Sequence, residues 1–117
     1  MYEYRVKEII SIYDGDTMKV IIDTGFKIYS EQTLRLYGIN APEMRGSEKV
    51  CGQKSRDWLR GRIYDAMTNN IPLFIKTKKD KKGKYGRLLA EVFIDGELKS
   101  LNEQMVEKEL ADEYMKG

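Results

Sequence analysis

Residues 4–22, YRVKEIISIYDGDTMKVII, decide the fold: two apolar runs with alternating pattern flank Asp14-Gly15-Asp16-Thr17. Tyr4, Val6, Ile10 and Ile12 share one face of the first run, and Met18, Val20 and Ile22 share one face of the second. A period of two sends successive side chains to opposite faces of a strand, so the stretch predicts two half-buried strands joined at DGDT. Working outward, Gly25 marks a turn, and Phe26, Ile28, Leu34 and Leu36 predict one face of a third strand, opposite Lys27, Tyr29, Glu31, Thr33 and Arg35. Over residues 47–69 the spacing becomes helical, through Cys51, Ser55, Leu59, Ile63, Ala66 and Met67, with Trp58 beside the stripe. Residues 71–77 and 87–94 predict two more strands, separated by the lysine-rich KTKKDKKGKYG. Residues 98–110 predict a last helix on Leu98, Leu101, Met105, Val106 and Leu110, and ADEYMKG reads as a frayed end.

Three strands, a helix, two strands and a terminal helix give an α+β class, mainly β. The order fits a five-stranded Greek-key barrel of the OB type. A length of 117 residues accommodates this as a single domain over 1–117. Charged residues make up 34% of the chain but the net charge is only +2, so overall charge draws a polyanion weakly and any pull must come from its distribution. One cysteine, Cys51, rules out an internal disulfide, and the absence of histidine excludes the usual zinc sets and every histidine-based nucleophile or base. No apolar run approaches the ~20 residues of a membrane span, and MYEYRVKEII is too charged for a signal peptide, so the sequence predicts a soluble chain with no membrane partner. Hydrolytic chemistry here must therefore use carboxylates, arginines, lysines, tyrosines or a hard metal ion.

Four positions fit that requirement. DGDT is a common hairpin turn, but it also sets two carboxylates two residues apart. In Asn40-Ala41-Pro42-Glu43, Pro42 stiffens a loop that can hold Glu43 and the Ala41 carbonyl in place. Arg35 sits on the polar face of the third strand and Arg87 opens the fifth; an isolated strand arginine is ordinarily solvated or paired. Phosphodiester hydrolysis needs a proton acceptor for the attacking group and positive charge matched to the oxygens of the transition state. Asp16 as a cation-binding carboxylate, Glu43, Arg35 and Arg87 together meet that need. The segment from Lys76 to Arg87 adds six lysines and an arginine against Asp80, with Tyr85 interrupting it. An ordinary solvated loop has this composition, yet an aromatic among cations also suits single-stranded nucleic acid, with binding that weakens as salt rises.

DGDT, then LRLYGINAPE at 34–43, then KYGR at 84–87 together resemble the staphylococcal nuclease (thermonuclease) family, over almost the whole chain. The resemblance implies an OB barrel with packed helices and calcium-dependent cleavage of DNA and RNA, single-stranded preferred, leaving 3′-phosphate ends. It implies that Asp16, the Asn40 side chain and the Ala41 carbonyl hold Ca2+, and that Glu43 orients or deprotonates a water. Arg35 would grip the phosphate and Arg87 would stabilise the transition state. Lys84, Tyr85 and Tyr114 are implied as nucleic-acid contacts, with Asp14 and Thr17 supporting the metal ligands by hydrogen bonds. Asn102 is expected to tie the last helix to a nearby loop. Longer members continue into a third helix, and members are often exported, so the place of action is left open; nothing demands more than a monomer.

The competing readings are a non-catalytic nucleic-acid or protein-binding module, as in degenerate members of the family, and a plain OB protein without metal. Both leave the joint presence of Asp16, Arg35, Glu43 and Arg87 without a use. One departure matters: many members carry aspartate where this chain has Asn40, which offers an oxygen but no charge. Asn40→Asp is expected to tighten calcium binding in a calorimetric titration, and an unchanged dissociation constant would show that Asn40 is not a ligand.

Overall fold

In a computed structural model, residues 2–82 and 87–114 are described, residues 79–82 by their backbone alone. Strands β1 (Tyr2–Asp14), β2 (Thr17–Asp23) and β3 (Tyr29–Leu36) form a meander, followed by the short β4 (Ile39–Asn40). A 3-10 turn at Gly46–Glu48 leads into helix α1 (Lys49–Thr68). Then come β5 (Leu73–Lys82), β6 (Leu88–Ile94), helix α2 (Leu101–Glu107) and β7 (Asp112–Glu113). The sheet closes as a barrel in the order β1-β2-β3-β6-β5, with β3 and β6 parallel and the other pairs antiparallel. This is the five-stranded OB-type barrel with helices that the sequence predicts.

The core fills the barrel with Val6, Ile12, Met18, Val20, Ile22, Leu34, Leu36, Leu73, Ile75, Ala90 and Val92, and α1 adds Leu59, Ile63 and Ala66. Strand β1 departs from the predicted alternation. Its register against β2 shifts between Val6 and Glu8, between Ile9 and Ser11, and between Ile12 and Asp14. Each shift inserts an extra residue, so the inward positions are Val6, Ile9 and Ile12, opposite Ile22, Val20 and Met18. Ile10, predicted inside, is exposed, and Ile9 packs on the core instead. Such bulges sharpen the bend of a strand, and they let β1 pair with β2 along its length and with β5 through Tyr2–Arg5.

Other boundaries also move. Phe26 and Ile28 are not on β3: Gly25, Phe26 and Lys27 all have positive φ, Ile28 donates its N–H to the Gly25 carbonyl at 3.0 Å, and Phe26 is 97% exposed at the hairpin tip. Cys51 is exposed, and Gly52 takes the inward position one residue later. Helix α1 ends because Asn70 adopts a left-handed conformation (φ 57) and Ile71 donates back to the Ala66 carbonyl at 2.8 Å. Leu98 is solvent-exposed, because α2 starts at the Ser100 cap, whose hydroxyl accepts from Glu103 N–H at 3.0 Å. The segment read as a frayed end contains β7, which pairs with β4.

Asn102 joins α2 to the barrel. Its Oδ1 accepts from Val92 N–H at 3.0 Å, and its Nδ2 donates to the carbonyls of Tyr37 at 2.8 Å and Ala90 at 3.1 Å. The side chain is buried, so truncation takes the partner from the Val92 N–H and the Tyr37 carbonyl, while the Ala90 carbonyl keeps its bond from Tyr37 N–H at 2.8 Å. Asn102→Ala is expected to cost about 2–4 kcal/mol in urea denaturation, and a change below about 1 kcal/mol would show that these bonds do not anchor the helix.

Candidate active site

The turn between β1 and β2 brings Asp16 to one end of the barrel. Asp14 Oδ1 accepts from Asp16 N–H at 3.0 Å, which closes the turn, and the Asp16 carbonyl accepts from Leu36 N–H at 2.8 Å, which fixes it to the end of β3. The Asp16 carboxylate is nearly buried, with Thr17 Oγ1 donating to Oδ1 at 3.1 Å and Ala41 N–H donating to Oδ2 at 2.8 Å. The last bond ties the DGDT turn to the Asn40–Glu43 loop. Arg35, opposite Thr17 on β3, donates from Nη1 to the Leu36 carbonyl and from Nη2 to Asn40 Oδ1, each at 2.8 Å. The same Nη2 lies 3.5 Å from Asp16 Oδ2. Asp16 and Asn40 thus aim oxygens at one cationic nitrogen.

Helix α1 supports both loops by close approach. A Cβ at Gly15 would come within 2.2 Å of Ser55 Oγ, and one at Gly52 within 2.3 Å of the Glu43 carbonyl oxygen. Ser55 Oγ is buried and makes no hydrogen bond among the described residues, which leaves the contact with Gly15 as one of packing. Glu48, just before α1, accepts from Glu43 N–H through Oε1 at 3.0 Å. The Glu43 backbone is therefore held from two sides while its side chain stays exposed.

These residues line one cleft of about 590 Å3: Asp14, Asp16, Thr17, Arg35, Asn40, Ala41, Glu43 and Arg87, all singled out in the sequence, meet there. Glu48 and Asp112 also line it and were not anticipated. Glu48 gives a weak local signal, an acid at the start of a helix beside a proline loop. Asp112 gives none, because only the pairing of β7 with β4 brings it in. Burial, together with the neighbouring Asp16 carboxylate, pushes the Asp14 carboxyl up from 3.8 to about 6.

Of the predicted nucleic-acid contacts, Tyr114 is described, and it lies outside the cleft. Tyr114 donates its N–H to the Gly38 carbonyl at 2.8 Å and lines a neighbouring groove with Tyr37 and Ile39. Lys84 and Tyr85 lie outside the described residues. Of the lysine segment, Lys78 pairs with Glu91 at 3.2 Å and sits over the Tyr37 ring, and Lys76 sits over Phe93.

The donors suit a hard cation. Carboxylate, amide and backbone oxygens with no nitrogen or sulfur ligand are the set calcium accepts in loose geometry, with water completing the shell. No group of three or more acidic or cysteine side chains is arranged to hold a metal among the described residues, so the protein would supply only part of that shell.

A barrel of this topology, with paired arginines and carboxylates at one end, places the chain in a known class: the family model for staphylococcal nuclease homologues matches residues 33–116, and the chain belongs to that family. It is also similar to "Endonuclease YncB" of Bacillus subtilis (strain 168), 32% identical over 98 residues. The match covers 84% of this chain but 43% of that protein, so the chain spans less than half of the relative's length.

Two helical glycines test the packing beneath the site. Gly61→Ala meets open space and is expected to stabilise by about 0.5–1 kcal/mol through helix propensity. Gly52→Ala should instead destabilise by about 1–3 kcal/mol, because the Glu43 backbone must give way. Urea titrations showing the same sign for both would contradict the close approach of α1 to the Glu43 loop.

Proposed function

We propose that this chain is a calcium-dependent endonuclease that hydrolyses phosphodiester bonds of DNA and RNA, acting as a monomer on single-stranded or breathing segments and leaving 3′-phosphate ends. Membership of the family and the likeness to an endonuclease support nuclease chemistry. The observation that carries the reading is the charge of the cleft. Among its described lining residues, Asp14, Asp16, Glu43, Glu48 and Asp112 oppose only Arg35 and Arg87. A phosphodiester is itself an anion, so such a cleft repels it until a cation takes up the excess negative charge. That favours the metal-dependent enzyme over a binding-only module, for which an acidic cleft is a poor grip.

In this reading Asp16, Asn40 Oδ1 and the Ala41 carbonyl would hold the cation. Calcium in that place supplies Lewis-acid polarisation of a phosphate oxygen and charge neutralisation. Arg35 now spends its Nη2 on Asp16 and Asn40. With those oxygens engaged elsewhere, Arg35 Nη2 would be free to meet a phosphate oxygen, while Nη1 stays on the Leu36 carbonyl. Glu43, with its backbone held by Glu48 and by packing against Gly52, accepts the proton of the attacking water. The water oxygen bonds to phosphorus and the bond from phosphorus to the 5′ oxygen breaks. Arg87 neutralises the charge on the equatorial oxygens and the departing 5′ oxygen, which takes up a proton from solvent water and leaves as a hydroxyl.

Incubation with single-stranded DNA is expected to give cleavage in calcium and none in chelator, with fragments that a polymerase extends only after phosphatase treatment. Glu43→Gln and Arg87→Ala should each lower kcat by roughly 10²-fold or more. Binding of the strand without cleavage in calcium would sink the enzymatic reading, and fragments extended without phosphatase would sink the proposed bond.

A further inference from the structure

Among the acidic residues lining the cleft, Asp112 and Glu43 have side chains with no hydrogen-bond or ion-pair partner among the described residues. Asp14 Oδ1 closes the DGDT turn, Glu48 Oε1 accepts from Glu43 N–H, and Asp16 is bonded to Ala41 and Thr17. Asp112 is exposed and makes no side-chain hydrogen bond or ion pair among the described residues, yet it lines the cleft with Asp16 and Asn40. Its position is fixed by backbone pairing. In the β4–β7 ladder Asn40 stands directly opposite Asp112 and Ile39 opposite Glu113, and Tyr114 N–H donates to the Gly38 carbonyl at 2.8 Å on the same side of the pair. Directly opposed residues of an antiparallel pair project to the same face, with Cβ atoms about 4.5–5.5 Å apart. The Asp112 carboxylate and the Asn40 amide are thus neighbours on the wall of one cleft.

We infer that Asp112 supplies the second negative charge of the divalent-cation site, delivered from β7 across the strand pair to where Asn40 provides an oxygen without charge. The inference rests on the cation site proposed above. The strength of an oxygen-ligand site for calcium depends on how many of its groups are charged, and Asp16 alone is a single carboxylate. Asp14 is a poor substitute: its Oδ1 is committed to the Asp16 N–H within the turn. Glu43 is needed to take a proton. Asp112 is left, on a strand whose partner strand carries Asn40. Its carboxylate makes no ion pair among the described residues, which leaves it open to a cation in the cleft.

The test is calcium binding to the whole chain without nucleic acid, read by calorimetry and by the rise in Tm on adding calcium. Removing one full charge from the wall of a site for a divalent ion changes the dissociation constant by about tenfold at low ionic strength, even in a medium as polar as water. Asp112→Asn, close to isosteric and at an exposed position, should weaken binding about tenfold. It should leave the Tm in chelator within about 2 °C, the scale of a surface substitution. Asp112→Glu, which keeps the charge, should bind within about threefold of the parent. The pair Asn40→Asp with Asp112→Asn moves the carboxylate to the other strand, and should restore binding to within the same margin. If Asp16→Asn abolishes binding while Asp112→Asn leaves it unchanged, the inference is wrong and the cation site stands. If Asp112→Glu weakens binding as much as Asp112→Asn, the role is structural rather than electrostatic and the inference also fails. A parent protein that binds no calcium by either readout removes the site and the inference together.

Discussion

The hydrogen bond from Ala41 N–H to Asp16 Oδ2, at 2.8 Å, holds the working end of the barrel together. It joins residues far apart in sequence, and neither loop alone has the means to fix the other. The turn that carries Asp16 is closed by Asp14, fastened to β3 by Leu36 N–H and packed through Gly15 on Ser55 of α1. The loop that carries Asn40, Ala41 and Glu43 is held at its far end by Glu48 and Gly52. The shared carboxylate converts two independently anchored loops into a single wall. A charged acceptor gives a stronger bond than a neutral one, and here it is nearly out of water, where the bond is screened least.

That placement has an electrostatic consequence. A carboxylate so deeply set needs compensation, and Arg35 provides part of it at 3.5 Å while also engaging Asn40. The guanidinium is then both a structural counter-ion and the group expected to meet substrate. These roles compete for the same nitrogen, and under the proposed function that competition would let a cleft rich in acid receive a polyanion. In the function proposed above, the acids would hold a cation, and cation and phosphate would be bound as partners. The direction of the Asp14 shift, upward to about 6 through burial and the Asp16 charge, expresses the same excess of negative charge.

The sequence was readable wherever the place of a cleft residue follows from a short motif at the end of a regularly patterned strand. The alternation of Met18, Val20 and Ile22 and of Leu34 and Leu36 sets the ends of β2 and β3, and so places Asp16 and Arg35 side by side. It was not readable where position depends on pairing. The bulges of β1 exchange Ile10 for Ile9, and no periodicity within one strand reveals an extra residue set against its neighbour. Phe26 looked apolar enough for a core, but three successive left-handed residues turn it outward. Asp112 lies in a stretch with no pattern, and its place beside Asn40 exists only because β7 finds β4. Gly52 reads as a defect in a helix until the Glu43 carbonyl beneath it is seen.

The central claim, that one cation and one phosphate share the cleft by displacing Arg35 from Asn40, is most directly tested by electron density. A crystal grown with calcium and a phosphorothioate-linked single-stranded oligonucleotide should show the ion bonded to Asp16 and the Arg35 guanidinium turned from Asn40 onto a phosphate oxygen. An Arg35 still spanning Asp16 and Asn40, with the ion and the phosphate bound elsewhere on the surface, would contradict the account.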